Sequence, residues 1–113
     1  MKNNRILALS GNDIFSGGGL SADLATYTLN GLHGFVAVTC LTALTEKGFE
    51  VFPTDDTIFQ HELDSLRDVD FAGIKIGLLP TVSVAEKVLD FIKQRPGVPV
   101  VLDPVLVCKE THD

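Results

Sequence analysis

Apolar and polar positions change their period several times along this chain, and each change marks an element. Residues 5–10, RILALS, form an apolar run straight after Lys2-Asn3-Asn4 and predict a buried strand. Residues 11–19, GNDIFSGGG, predict a glycine-rich loop. From Leu20 the spacing becomes helical, with Leu20, Leu24, Tyr27 and Leu32 on one side. Gly31 and Gly34 around His33 end that helix. Residues 35–44, FVAVTCLTAL, are apolar and partly β-branched, and predict a second buried strand. Across 45–53 a polar stretch, FEVF and Pro53 predict a short edge strand or flap, since proline is tolerated at edges.

Thr54 to Asp56 offer caps for a helix over about 57–68 with Ile58, Leu63 and Leu66 on its inner face. Residues 71–79, FAGIKIGLL, predict a third buried strand that Pro80 terminates. Ser83 and Glu86 fit a capping box for a helix over about 82–94, with Val84, Val88, Leu89 and Ile92 inward. Arg95-Pro96-Gly97 is a turn, and 98–102, VPVVL, a fourth strand before Asp103-Pro104. The order is β-α-β-(β)-α-β-α-β. Such alternation predicts an α/β fold, a largely parallel sheet with helices on both faces. The fourth strand has no following helix to cover it. The chain is therefore expected to form part of a larger fold or to be covered by a partner.

Composition narrows the function classes. The 113 residues suffice for one domain, and 45 % apolar with 21 % charged residues suits a packed core rather than disorder. A formal charge of −6 argues against nucleic acid as a partner, because phosphate binding needs surplus Lys and Arg. No apolar run approaches the roughly 20 residues that cross a bilayer, so no membrane partner is expected. The N-terminus MKNNRILALS lacks the length and cleavage site of a signal peptide. Cys40 and Cys108 make neither a disulfide framework nor a metal motif and read as free thiols in a reducing cytoplasm.

Open α/β sheets bind ligands beyond the carboxyl ends of their strands. Here those ends carry Ser10-Gly11-Asn12-Asp13, Thr42 and Thr45, Gly77, and Asp103. Gly17-x-Gly19-x-x-Ala22 matches a dinucleotide fingerprint literally, which would suit half of a nicotinamide-dependent oxidoreductase. However, GNDIFS separates it from the strand, and no acidic residue follows the second strand. It is no P-loop either, since no Gly-Lys-Ser/Thr follows. The loop reads either as a backbone that a ligand can approach closely or as a plain turn into a helix. Asp23, placed in the first helical turn, either compensates the helix dipole or accepts hydrogen bonds from a polar ligand. Asp103 is either part of a strand-end turn or a carboxylate near a phosphate-bound cation. Lys75, inside an apolar strand, either snorkels outward or pairs with an acid. His33, His61 and His112 show no ligand spacing and read as surface or cap residues.

Several segments together carry a resemblance. They are Ala8-Leu9-Ser10-Gly11-Asn12-Asp13, the glycine run into Leu20-Ser21-Ala22-Asp23-Leu24, and Gly34 through Val38-Thr39. Lys75 through Val82 and Val101 through Lys109 continue it in the same order. The sequence resembles the N-terminal part of the pyridoxine/pyridoxal kinase and hydroxymethylpyrimidine (phosphomethylpyrimidine) kinase group of the ribokinase-like superfamily. The resemblance implies the N-terminal portion of a three-layer ribokinase-like fold. It also implies ATP-dependent phosphorylation of a hydroxymethyl group on a small aromatic heterocycle, with ATP and Mg²⁺ as cofactors and a homodimer as the assembled form. By carry-over, Gly11, Asp23 and Leu44 line the heterocycle pocket, Gly18, Leu78 and Val107 add walls, and Asp103 lies toward the ATP phosphates and Mg²⁺.

Departures refine that expectation. The family's glycine run usually reads Ser-Gly-Gly-Ala-Gly, where this chain has Phe15-Ser16-Gly17-Gly18-Gly19. Position 44, commonly Gln in the pyrimidine kinases, is Leu44. An alkyl group facing the polar edge of an aminopyrimidine should cost about 1–3 kcal/mol. Leu79-Pro80-Thr81-Val82 and Val107-Cys108-Lys109 are also more similar to the vitamin B6 kinases, so a B6 vitamer is the expected substrate. Family members run to more than twice this length. Their second half carries the glycine-rich anion hole, the general base and most of the nucleotide site. Residues 1–113 are thus expected to be the substrate-side part of one ribokinase-like domain, inactive alone, with a non-catalytic binding module as the alternative.

Overall fold

The computed structural model describes residues 3–12 and 19–103. Its elements are β1 (Arg5–Ser10), α1 (Gly19–Leu29), β2 (His33–Val38), β3 (Cys40–Thr45), β4 (Gly48–Pro53), α2 (Asp56–Ser65), β5 (Gly73–Ile76), α3 (Val82–Lys93) and β6 (Val100–Leu102). Four strands form a parallel sheet in the order β2-β1-β5-β6. β1 is interior, and Leu7, Ala8 and Leu9 are wholly buried. That is why its sequence is continuously apolar: both faces of a parallel strand are covered.

The period-two alternation sorts side chains between two helical layers. Leu7 and Leu9 of β1, Ala37 of β2, and Ile74 and Ile76 of β5 join one core cluster. Phe59 and Leu63 of α2, and Val84, Val88 and Phe91 of α3, complete it. α1 covers the other face. There Gly34 leaves room for it, because a Cβ at that position would meet Leu24 Cδ2 at 2.6 Å and Tyr27 Cδ2 at 2.9 Å. Ala8 and Lys75 stand opposite each other in the ladder on this second face, with Val101 next in the row.

The structure corrects several sequence expectations. Residues 35–44 are not one strand. β2 stops at Val38, and β3 leaves the sheet to pair antiparallel with β4 as a separate hairpin. Thr39 makes this break. Its N–H donates to Ser10 O at 2.9 Å, and its hydroxyl donates to Leu78 O at 2.7 Å. Thr54 pins the far end of the hairpin: its N–H donates to Thr39 O at 3.0 Å and its hydroxyl to Val38 O at 2.7 Å. Apolar composition could not reveal this, since a buried run and a hairpin arm have similar residues.

The helices also shift. Asp55 caps α2, its Oδ2 accepting from Thr57 N at 3.0 Å and Ile58 N at 3.2 Å. Phe59 and Leu63 face inward, whereas Ile58 is exposed. The Ser83–Glu86 capping box does not form. Thr81 Oγ1 accepts from Val84 N at 3.1 Å instead, and Ser83 donates to Asp56 Oδ2 at 2.8 Å. α3 starts at Val82 as expected, but its buried stripe is Val84, Val88 and Phe91, and Leu89 is exposed. β5 is shorter than the 71–79 run, ending at Ile76. β6 is an edge strand whose three residues are all exposed. No helix among the described residues is long and apolar enough to cross a membrane.

Candidate functional site

β1 has neighbours on both sides, β2 reached through α1 and β5 reached later. The crevice above its carboxyl end is therefore the switch point at which open α/β sheets take ligands. The chain is stitched together here. Gly77 N–H donates to Leu9 O at 2.8 Å, Asp103 N–H to Ile76 O at 2.8 Å, and Asn12 N–H to Cys40 O at 3.2 Å. The Thr42 hydroxyl donates to Asn12 O at 2.7 Å, tying the hairpin to the loop that leaves β1. A Cβ at Gly77 would meet Ser10 Oγ at 2.5 Å, so glycine lets two strand ends touch.

Two groups of expected site residues assemble. In the first, Lys75 Nζ donates to Asp23 Oδ1 and lies 3.6 Å from Asp103 Oδ2. Asp23 begins the second turn of α1, not the first, because the helix starts at Gly19. This removes the dipole-compensation reading. The Asp23 side chain is 8 % exposed and that of Asp103 57 %. One carboxylate thus sits in the fold and the other at its mouth. Burial disfavours the Lys75 ammonium, but the Asp23 hydrogen bond and the charges of Asp23, Asp103 and Tyr27 outweigh it, holding its pKa above the ordinary lysine value. Tyr27 is raised too, by burial and then by the Asp23 charge, with Lys75 opposing.

In the second group, Gly11 and Leu78 meet at Cys40. A Cβ on Gly11 would overlap Cys40 Sγ and lie 3.7 Å from Leu78 Cδ2. Cys40 is a buried free thiol, and burial pushes its pKa up against the weaker effect of the Thr39 hydroxyl. Leu44 stands on the face of β3 that also carries Cys40 and Thr42, and it is 62 % exposed. Gly18 and Val107 lie outside the described residues, as do Cys108 and most of the glycine run.

The arrangement offers a buried carboxylate with acceptor capacity beyond its lysine. A single carboxylate such as Asp103 is compatible with a Mg²⁺ ion that is otherwise held by phosphates and water. No group of three or more His, Cys, Asp or Glu side chains converges as a protein-only metal site among the described residues. Thr39 is the structural residue that sequence reasoning did not single out. The signal was faint: one hydroxyl between Val38 and Cys40, where the apolar run continues on both sides.

Comparison with known proteins places this chain in a family. The phosphomethylpyrimidine kinase family model matches residues 13–113, and the chain belongs to that family. It is 35 % identical over 107 residues to the hydroxymethylpyrimidine/phosphomethylpyrimidine kinase of Haemophilus influenzae, covering 93 % of this chain and 40 % of the relative. It is 32 % identical to the pyridoxine kinase of Bacillus subtilis, covering 100 % of this chain and 43 % of the relative. The structure of an ADP complex of Bacillus subtilis pyridoxal kinase superposes with a TM-score of 0.87 at 31 % identity, over 99 % of this chain and 43 % of that one. The fold is therefore that of the ribokinase-like kinases, as the sequence resemblance implied. The chain spans about two-fifths of the length of the curated relatives it matches.

Proposed function

We propose that residues 1–113 form the substrate-side part of an ATP-dependent kinase that phosphorylates the hydroxymethyl group of a vitamin B6 vitamer. The observation that carries the choice of substrate is Leu44. It shares a hairpin face with Cys40 and Thr42 and has an alkyl side chain where the pyrimidine kinases commonly carry an amide. An alkyl group tolerates a methylated pyridine but offers no hydrogen bond to an aminopyrimidine edge. Asp23 would accept a hydrogen bond from the heterocycle, with Gly11, Gly18, Leu78 and Val107 as walls. Asp103 would stand toward the ATP phosphates and Mg²⁺, whose role is to neutralise charge on the transferring phosphoryl group. What these residues contribute is position: they hold the hydroxymethyl group in one orientation, which is most of what phosphoryl transfer asks of a protein.

The relative from Haemophilus influenzae supports a second reading, in which the substrate is hydroxymethylpyrimidine or its phosphate. Calorimetric titration of the chain with pyridoxine and with hydroxymethylpyrimidine separates the two. Tighter binding of pyridoxine is expected, and a clear pyrimidine preference overturns the B6 reading. The chain alone is expected to show no turnover. ATP-dependent turnover should appear when the remaining part of the family's domain is supplied, and its absence there would favour a binding module.

A further inference from the structure

We propose that Lys75 is a positioning residue of this site, whose ammonium group holds the Asp23 carboxylate for the heterocycle and ties it to Asp103 on the phosphate side. The inference rests on the heterocycle-kinase reading. It adds a residue to which the resemblance assigned no role.

The geometry of β5 makes the case. Ile74 and Ile76 point into the cluster under α2 and α3, so the residue between them must face α1. A lysine there is costly unless it is paired. Its neighbour across the β1 ladder is Ala8, whose small side chain leaves space on that face. The groups facing the ammonium are Asp23 and Tyr27 from α1 and Asp103 from the end of β6. Tyr27 Oη is buried and has no hydrogen-bond partner among the described residues. One cation thus spans two carboxylates that belong to opposite ends of the expected reaction axis. Without it, Asp23 would be an unpaired buried charge beside a second carboxylate, a state that rotation of its side chain away from the site would relieve.

A purely structural ion pair would contribute to stability and leave ligand affinity alone, and binding tells these apart. With pyridoxine as the probe, Lys75→Met should weaken binding about tenfold or more, while Lys75→Arg recovers most of it. Asp23→Asn should also weaken binding, and the double variant should be no weaker than Asp23→Asn alone. Wild-type affinity in Lys75→Met, or losses that multiply in the double variant, overturns the proposal.

A ligand-free measurement separates this proposal from the function it rests on. Tyr27 is the only tyrosine in a chain without tryptophan, so ultraviolet absorbance follows its ionisation alone. Lys75→Met should raise the Tyr27 pKa, Asp23→Asn should lower it, and Lys75→Arg should leave it near wild type. If the wild-type chain binds neither heterocycle, the proposed function falls and Lys75 is judged on Tyr27. An unmoved Tyr27 titration in Lys75→Met overturns its placement. Should Lys75→Met fail to fold, Asp23→Asn and Lys75→Arg carry the same test, and an unmoved Tyr27 in Asp23→Asn is the overturning result.

Discussion

The Thr39 hydroxyl donates to the Leu78 carbonyl at 2.7 Å, joining the end of β2 to the segment after β5 across the carboxyl edge of the sheet. Thr39 is wholly buried, and its backbone also bonds Ser10 and Thr54. Thr39→Val preserves shape but leaves the Leu78 carbonyl without its donor. The expected cost is about 1–3 kcal/mol, read from the denaturant midpoint, with Thr39→Ser close to wild type. An unchanged midpoint for Thr39→Val would mean that water replaces the bond.

Gly11 and Cys40 form a steric pair, since any Cβ at position 11 overlaps the buried sulfur. Gly11→Ala should destabilise the fold by about 1–3 kcal/mol through overpacking. Adding Cys40→Ala removes the obstructing atom, so the double variant should be more stable than the sum of the single losses predicts. Strict additivity of the measured unfolding free energies would rule out this contact.

Glu62 Oε1 accepts from Val38 N at 2.7 Å beside the hairpin exit. Burial raises its pKa above 4.5, and the Val38 hydrogen bond only partly offsets this. The folded state thus holds that proton more tightly than the unfolded one. The associated stability is fully present below pH 4.5 and is lost as pH rises through the higher folded value. Glu62→Gln keeps an acceptor for Val38 and carries no charge. Its urea midpoint should exceed wild type at about pH 7 and lose that advantage in acid. A pH-independent difference between the two proteins would contradict the assignment.

Substrate choice gives the fourth prediction. Leu44→Gln restores an amide on the hairpin face that carries Thr42. Calorimetry should show hydroxymethylpyrimidine gaining about tenfold relative to pyridoxine, the effect of one hydrogen bond to a ligand. No change in relative affinity would remove position 44 from the specificity argument.

Local patterning carried much of this far. The apolar runs at 5–10 and 71–79 and the helical spacing of Val84 and Val88 each predict an element found, although the second run yields a strand only over Gly73–Ile76. Their periods follow directly from backbone geometry. The errors fall where two local signals compete. Ser83–Glu86 has the form of a capping box, yet Thr81 caps α3, and the Ser83 hydroxyl bonds Asp56 of the neighbouring helix instead. The apolar run at 35–44 hides the break at Thr39, because its cause is a bond to Leu78, distant in sequence.

By itself, the sequence determined the alternating α/β order, the parallel sheet, the family and the residue types gathered at the strand ends. Each of these depends on local spacing or on a motif read along the chain. Only the tertiary structure decided that residues 40–53 form a separate hairpin, that Asp23 lies past the first turn of α1, and that Lys75 joins it to Asp103. The choice between a snorkelling lysine and a paired one depends on which helix covers its face of the sheet. Here α1 brings Asp23 to Lys75 across 52 positions of sequence, a proximity that packing creates and no local period encodes.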